Sequence, residues 1–288
     1  MTPRWTAPAR RTAALAAALV LVVVVSGCSA SRPPAGRPAP GHTAGAPANS
    51  GTPTPNPAGG APPQQPASGN PFLARVPHFP PPPKAQPVSL HGGPQAPFFT
   101  RLPTTQPVAF LTMDDGWIQS PDAIALMQAA DIPFTMFLIA PVAARGAAFF
   151  KQLVAAGGSV GDHTITHPNL RGRSYANQHH EICDSATTLT QTFGQRPQLF
   201  RPPFGEYDAT TLRVAHDCGY TAVLNWSETV DKGIVRYQTA EHRIHPGDII
   251  LMHFRPAFVD DVLAALRAIA AAGLTPAVLT DYLISPHA

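Results

Sequence analysis

The sequence predicts an α/β fold: an irregular (β/α)7 barrel with parallel strands and outer helices. From about residue 104 onward, short apolar runs alternate with longer segments of helical periodicity, which is typical of βαβ units and a parallel sheet. Polar groups follow several of these runs, at the positions where the carboxyl ends of parallel strands collect functional side chains. The chain of 288 residues is long enough to include such a domain.

The predicted strands are seven short apolar runs, slightly fewer than the eight of a complete barrel. They cover 108–113, 133–139, 158–161, 198–201, 222–226, 249–253 and 276–279. The predicted helices are longer and repeat apolar residues at helical spacing. They cover 121–130, 146–156, 174–193, 210–218 and 259–272.

Residues 1–28 are predicted to be a lipoprotein signal peptide. Arginines precede a continuous apolar stretch, 13–25, which is too short to span a bilayer core of about 30 Å as a helix. The stretch closes on Val-Ser-Gly-Cys28, which resembles a bacterial lipobox. We therefore expect Cys28 to be acylated and the protein to be exported and lipid-anchored at the outer face of the cell membrane. An ordinary signal peptide is the alternative, and Sec and twin-arginine export both stay open.

Residues 29–103 are predicted to be a disordered Pro/Gly/Ala-rich tether. Twenty of the 35 prolines lie within 29–97, and this composition buries too little apolar surface to offset the entropy of ordering. Residues 1–113 hold eight of the 20 basic side chains and none of the 17 acidic ones. The folded domain predicted over 104–288 is therefore acidic and lacks a lysine-rich or arginine-rich run, so we expect no nucleic-acid binding.

Two adjacent carboxylates, Asp114 and Asp115, end the first apolar run. Neighbouring carboxylates repel and are costly to desolvate unless a metal ion or an arginine lies between them. Other predicted strand ends supply His163, His167, Arg201, Trp226 and His253. Two imidazoles four residues apart are expected on one side of a helical turn, and with one carboxylate they form a three-ligand metal site.

These motifs resemble those of the polysaccharide deacetylase family, the NodB homology domain of carbohydrate esterase family 4. The family motif T-F-D-D-G appears at 112–116 with methionine for phenylalanine, and H-[ST]-x-x-H appears at 163–167. R-P-P-Y-G appears at 201–205 with phenylalanine for tyrosine, and L-x-H appears at 251–253. One such motif alone would be weak, but four in the family's order and spacing are strong.

The resemblance implies a metal-dependent hydrolase. It places a divalent metal ion on Asp115, His163 and His167, with zinc expected first and cobalt, nickel or manganese as alternatives. It makes Asp114 the general base that takes a proton from water. Arg201 is expected to orient Asp114 and to keep it ionised through a charge-assisted pair.

The resemblance also implies how the acetyl group is held. His253 is expected to protonate the departing amine as general acid. The backbone N–H of Phe204 is expected to stabilise the oxyanion, and Trp226 and Leu251 are expected to line a slot for the acetyl methyl group.

The fourth family motif is altered in this chain. The family has an aspartate three residues after a tryptophan, which pairs with the catalytic histidine and raises its pKa. Here Trp226 is followed instead by Glu228 and Asp231. Either of these carboxylates substitutes as the partner of His253, with Asp231 favoured, or the acid is weaker.

The predicted function is removal of N-acetyl groups, with O-acetyl groups as the alternative, from a cell-envelope polysaccharide such as peptidoglycan or chitin-like oligomers. The predicted partners are this polysaccharide and, through Cys28, the membrane, and a monomer is favoured. Two alternatives use the same fold: a catalytically impaired carbohydrate-binding lipoprotein, and a metal-dependent amidase acting on a small amide. Cys183 and Cys218 form either a disulfide, which an exported protein permits, or two buried free thiols.

Overall fold

Ten strands form one sheet in the computed structural model, which describes residues 69–284. The strands are β1 Phe98–Phe99, β2 Val108–Asp115, β3 Phe134–Leu138, β4 Gly158–Asp162, β5 Leu199–Phe200, β6 Ala222–Leu224, β7 Glu228–Asp231, β8 Ile234–Tyr237, β9 Ile249–His253 and β10 Thr275–Pro276. The α-helices are α1 Pro121–Ala130, α2 Ala140–Arg145, α3 Ala147–Ala155, α4 Tyr175–His179, α5 Ser185–Phe193, α6 Ala209–Asp217, α7 Phe258–Ala271 and α8 Leu279–Tyr282. A π-helical turn, His180–Asp184, joins α4 to α5, and a 3-10 turn covers Pro203–Gly205. None of the helices within residues 69–284 has the length and hydrophobicity that crossing a bilayer requires.

The strand order is β1-β6-β5-β4-β3-β2-β9-β7-β8, and β10 pairs with β2. All pairings between these strands are parallel except the β7–β8 hairpin. The sheet curls into a half-barrel with helices packed around it, which confirms the predicted fold class. The carboxyl ends of the parallel strands lie at one edge, and this edge holds the polar residues singled out above.

Strand β2 lies in the middle of the sheet and is buried at all eight positions. A parallel strand covered on both faces is apolar along its length rather than alternating, which is why its sequence predicts it well. Its neighbours are β3 and β9, and their register places Asp114 beside Phe137 on one side and His253 on the other.

The predicted limits of the last strand, 276–279, are wrong. Strand β10 covers only Thr275–Pro276, and Leu279 already begins α8. Pro276 has no N–H with which to extend the ladder.

Parts of the segment 70–102 pack against the domain, where the sequence predicts a disordered tether. Phe72 and Leu102 are buried, and β1 pairs in parallel with β6. Composition alone does not show that apolar side chains scattered among prolines have a core to pack against. The predicted signal peptide 1–28, with Cys28, and the tether up to residue 68 lie outside the described residues.

Strands β7 and β8 form a hairpin that the apolar runs do not predict. Lys232 and Gly233 occupy its turn with φ of 54° and 72°, the left-handed conformation that a two-residue hairpin turn needs. The local Lys-Gly pair, flanked by β-branched residues, is the sequence signal that was available.

A disulfide joins Cys183 in the π-helical turn to Cys218 at the end of α6, with a Cα–Cα distance of 5.3 Å. The sequence leaves open either a disulfide or two free thiols for these cysteines, and the structure contains the disulfide. The bond joins two segments that are 35 residues apart in the chain.

Candidate active site

Asp114 and Asp115 end β2 and line one groove. Successive side chains of a strand normally face opposite sides, but Asp115 has a left-handed backbone with φ of 76°. As a result, Asp114 Oδ2 and Asp115 Oδ1 lie 3.7 and 3.6 Å from the same atom, His163 Nε2. Gly116 follows with φ of 95°, and a Cβ there would lie 2.7 Å from the Phe150 ring, so this position requires glycine.

His163 and His167 place their Nε2 atoms 3.6 and 3.4 Å from Asp115 Oδ1. His163 Nδ1 donates to the carbonyl of Arg201 at 2.8 Å, which leaves the lone pair of Nε2 free for a metal ion. Burial lowers the pKa of His163 to about 3. The His163 ring is therefore neutral and oriented, as a metal ligand has to be.

The segment between the two histidines is a loop, so the predicted helical turn is wrong. Thr164 and His167 have φ of 70° and 57°, whereas helical residues have φ near −63°. The backbone N–H groups of this loop bind side-chain oxygens instead of helix carbonyls; for example, Thr164 N–H donates to Asp162 Oδ1 at 2.7 Å. The two imidazoles meet because of this loop conformation and not because of helical periodicity.

The three predicted ligands fit a divalent cation. The ligand atoms of Asp115, His163 and His167 all lie within 4.8 Å of one another, and Asp115 Oδ1 is buried without a hydrogen-bond partner among the described residues. Burial raises the pKa of Asp115; His163 opposes this rise, whereas Asp114 adds to it. An unpaired buried carboxylate oxygen between imidazole nitrogens is costly, and a divalent cation bound by these nitrogen and oxygen donors would satisfy it.

Arg201 is fully buried beside Asp114. Its Nη1 donates to Asp114 Oδ1 at 2.7 Å and to Thr112 Oγ1 at 2.9 Å. Its other donors bind the backbone carbonyls of Leu224 at 3.2 Å and Asn225 at 3.0 Å. Burial raises the pKa of Asp114, and the charge and hydrogen bond of Arg201 oppose this rise. The guanidinium thus holds Asp114 by Oδ1, while Oδ2 lies on the side of the histidines.

His253 ends β9 directly beside Asp114 in the sheet. Burial lowers the pKa of His253, and the negative charge of Asp114 raises it. The groove that contains both residues also contains every predicted metal and substrate residue. Its lining residues are Asp114, Asp115, His163, His167, Phe204, Trp226, Thr229, Val230, Asp231, Leu251, His253 and Arg255.

Phe204 lies at the solvent-exposed side of this groove. Its side chain is 63% exposed, its backbone is left-handed with φ of 61°, and its ring centroid is 4.6 Å from that of His167. A Cβ on the following Gly205 would lie 3.0 Å from the Trp226 ring. The glycine therefore allows this turn to pack closely against Trp226.

Of the two carboxylates predicted as partners of His253, only Asp231 lines the groove. Glu228 is buried elsewhere and accepts a hydrogen bond from Ser227 Oγ at 2.6 Å. Within residues 69–284, no hydrogen bond or ion pair joins His253 to Glu228 or Asp231. The carboxylate that raises the pKa of His253 is instead Asp114.

Thr229, Val230 and Arg255 line the groove and were not predicted from the sequence. The first two belong to the hairpin, whose position beside β9 has no local sequence signal. Arg255 lies two residues after the candidate acid His253, and a positive charge so close to it was an available signal.

Residues 101–223 match the family model of polysaccharide deacetylases. Over these residues the chain is similar to polysaccharide deacetylases. The matched residues include both aspartates, both histidines and Arg201, and the match ends before Trp226, Leu251 and His253.

Sequence relatives of this chain include proteins with named activities. The chain is 43% identical over 155 residues to an uncharacterized Streptomyces coelicolor protein, covering 54% of this chain and 62% of the relative. It is 29% identical over 152 residues to a chitooligosaccharide deacetylase of Bradyrhizobium sp., covering 50% and 69%. It is 28% identical over 153 residues to a peptidoglycan-N-acetylglucosamine deacetylase of Bacillus cereus, covering 51% and 55%. The chain thus spans only part of the length of these relatives.

Solved structures share the fold of this domain. A family 4 carbohydrate esterase from Streptomyces lividans, in complex with acetate, has a TM-score of 0.53 and 24% identity over 64% of this chain and 100% of that chain. A family 4 pseudoenzyme from Bacillus anthracis has a TM-score of 0.58 and 21% identity over 65% and 69% of the two chains. At these identities the likeness concerns the fold, and activity has to be argued from the site itself.

Proposed function

We propose that this protein is a metal-dependent hydrolase that removes acetyl groups from an N-acetylated polysaccharide. The observation that carries the proposal is the position of Asp115 Oδ1, buried and unpaired within 3.6 Å of His163 Nε2 and 3.4 Å of His167 Nε2. Beside it lies a second carboxylate, Asp114, held by the buried Arg201.

Asp115, His163 and His167 would hold the metal ion, for which we propose zinc. Three protein ligands of this kind leave a coordination position open for water or substrate. When bound, a divalent cation supplies the positive charge that lowers the pKa of water and polarises an acetyl carbonyl.

Asp114 would take the proton from the attacking water. Arg201 binds Oδ1 at 2.7 Å, so the orientation of the carboxylate is fixed before substrate arrives. Its Oδ2 lies 3.7 Å from His163 Nε2 and is thus next to the metal ligands. Burial makes Asp114 more basic than an exposed aspartate, and a stronger base is better suited to accept a proton at neutral pH.

The remaining groove residues would bind the acetyl group and protonate the leaving amine. His253, on the strand next to Asp114, would protonate the departing nitrogen. Trp226 and Leu251 would contact the acetyl methyl group, and the backbone N–H of Phe204 would stabilise the developing oxyanion.

We further propose that the substrate belongs to the cell envelope, as peptidoglycan does, with chitin-like oligomers as the second choice. Relatives named as peptidoglycan-N-acetylglucosamine and chitooligosaccharide deacetylases support this substrate class. The lipobox-like ending at Cys28 supports export and a lipid anchor, which would place the deacetylase domain beside that polymer.

A second candidate function is binding of acetylated polysaccharide without turnover. It is favoured by one observation, the absence of a described contact between His253 and either Glu228 or Asp231. A histidine without such a partner has a lower pKa, so less of it is protonated at neutral pH and able to donate to the departing amine.

Acetate release from an N-acetylglucosamine pentamer and from peptidoglycan separates the two functions. We expect release by the purified full chain with zinc, loss of release with a chelator, and recovery when zinc is added back. His163→Ala should abolish both zinc binding and acetate release, because it removes a ligand. Tight binding of polymer without acetate at any metal supplement would establish the binding function instead.

A further inference from the structure

The loop from His163 to His167 has an unfavourable backbone conformation. Thr164 and His167 are both left-handed, with φ of 70° and 57°, and neither residue type adopts this conformation without cost. Such a loop persists only where surrounding contacts fix it.

Every backbone N–H of this loop has an acceptor. His163 donates to Leu138 O at 3.1 Å, Thr164 to Asp162 Oδ1 at 2.7 Å, Ile165 to Glu181 Oε2 at 3.1 Å, Thr166 to Glu181 Oε2 at 2.9 Å, and His167 to Thr164 Oγ1 at 3.1 Å. The Thr166 hydroxyl also donates to Glu181 Oε1 at 2.6 Å. Glu181 therefore accepts three of the hydrogen bonds that hold the loop.

Glu181 is a buried carboxylate in the π-helical turn, with 5% of its surface exposed. Within residues 69–284, no basic side chain lies within 4.0 Å of it. Three hydrogen bonds from one loop stabilise the buried carboxylate, which has no cationic partner among the described residues. The carboxylate is therefore bound to this loop. Four residues after Glu181, Ser185 Oγ donates to Asp162 Oδ1 at 2.7 Å. The same stretch of helix therefore contacts the residue that precedes the loop and the middle of the loop.

The two histidines depend on this loop to different degrees. The His163 ring is anchored through Nδ1, which donates to the Arg201 carbonyl. The His167 ring has no hydrogen bond to any of residues 69–284, and its ring neighbours are His163 at 4.8 Å and Phe204 at 4.6 Å between centroids. The position of His167 is therefore set by its backbone, which follows directly after the two N–H groups held by Glu181.

We propose that Glu181 is a positioning residue for the metal centre, fixing the loop so that His167 Nε2 meets Asp115 and His163. The inference rests on the proposed function, because it takes these three residues as metal ligands. Groups that orient metal ligands without touching the ion typically change metal affinity 10- to 100-fold when removed.

The test is zinc affinity, measured by competition with a chromophoric chelator on the full chain. Glu181→Ala leaves the Ile165 and Thr166 N–H groups without an acceptor, and we expect zinc to bind roughly 10- to 100-fold more weakly. Glu181→Gln keeps a carbonyl oxygen that accepts from both N–H groups, and it should retain most of the wild-type affinity.

Ile182→Ala is the matched control. Ile182 lies next to Glu181 in the same turn and is buried in a core cluster that contains none of the metal ligands. It should lower the melting temperature and leave zinc affinity unchanged. Wild-type zinc affinity in Glu181→Ala, with a melting temperature lowered as in the control, would overturn the inference and leave the proposed function standing. A wild-type chain without zinc affinity would overturn both.

Thr166→Val provides a second test if Glu181→Ala does not fold. It removes only the hydroxyl hydrogen bond to Glu181, and we expect a smaller loss of zinc affinity than in Glu181→Ala. Unchanged affinity in Thr166→Val would count against the positioning role.

Discussion

Two buried acidic clusters in this domain have similar compositions and different surroundings. Each contains two carboxylates and one arginine that contacts one of them. The Asp114 cluster consists of Asp114, Asp115 and Arg201, and the Asp248 cluster consists of Asp248, Glu228 and Arg101. The first cluster lies on the groove with the two histidines, whereas none of the residues of the second lines that groove.

The clusters differ in what offsets their charge. In the Asp248 cluster, Asp248 also accepts from Ser227 Oγ at 3.0 Å and from the His245 N–H at 2.6 Å. Burial raises the pKa of Glu228 to about 7, and the negative charge of Asp248 adds to this rise. In the second cluster, hydrogen bonds and the raised pKa of Glu228 offset the negative charge, and Glu228 Oε1 has no hydrogen-bond partner among residues 69–284. In the first, Arg201 binds Asp114, and the unpaired Oδ1 of Asp115 faces the Nε2 atoms of two histidines. Residue composition does not distinguish a site from a structural cluster, but converging imidazole nitrogens and access to solvent do.

The largest expected difference between the clusters is in catalysis. Asp114→Asn removes the proposed base, and acetate release should fall roughly 10²- to 10⁴-fold while zinc still binds. Asp248→Asn is the matched change in the other cluster, and its folded fraction should release acetate at close to the wild-type rate. Rates per folded molecule, with zinc content measured in parallel, check both. If Asp114→Asn released acetate as fast as the wild type, Asp114 would not be the base.

The next largest difference concerns the two arginines. The side chain of Arg201 is fully buried, whereas 38% of the Arg101 side chain is exposed. Removing one partner of a buried ion pair typically costs about 3 to 5 kcal/mol of unfolding free energy, so this is our expectation for Arg201→Met. Asp248, the partner of Arg101, is fully buried but keeps hydrogen bonds from Ser227 and His245. Arg101→Met should therefore cost less than Arg201→Met, roughly 1 to 3 kcal/mol. Urea denaturation with zinc removed gives both values, and equal losses would contradict the comparison.

The smallest expected effect is a pH dependence of the Asp248 cluster. Glu228 ionises near 4.5 in the unfolded chain and near 7 in the folded protein. Between these pH values the unfolded state binds fewer protons, so stability should fall as pH rises, by roughly 1 to 3 kcal/mol in total. Glu228→Gln, which stays neutral, should flatten this slope, whereas Glu206→Gln, in a carboxylate outside both clusters, should leave it unchanged. Unfolding curves from pH 4.5 to 7.5 measure the slopes, and an unaltered slope in Glu228→Gln would show that another group titrates.

The central strands of the fold follow from the sequence because their burial leaves a continuous apolar run. Strand β2 and helix α1 are the clearest cases, and the predicted limits of α1 match the structure. Helix α1 is marked locally by Ser120, whose hydroxyl accepts from Asp122 N–H, and by Pro121 at its first position. Strand β1 and the β7–β8 hairpin lack such runs, since their stability comes from neighbours distant in the chain.

The motif residues of the candidate site, including Arg201, were predictable, but the support of its histidine loop was not. The motifs identify Asp114, Asp115 and both histidines, because the chemistry restricts residue types at fixed spacing. Glu181 supports the histidine loop from a helix that has no motif of its own, so its role becomes visible only when the hydrogen bonds of the loop are traced. The backbone of this loop was predicted wrongly for the same reason, since a four-residue spacing does not report which oxygens the N–H groups find.

Four of the seven non-glycine residues with positive φ within residues 69–284 are Asp115, Thr164, His167 and Phe204. All four belong to the groove or to the loop between its histidines. Backbone strain within residues 69–284 is therefore concentrated at the candidate site. Substitutions that relax this strain would move apart the side chains that are proposed to bind the metal ion. An engineer seeking a more heat-resistant variant should look for gains in the outer helices and leave these four positions alone.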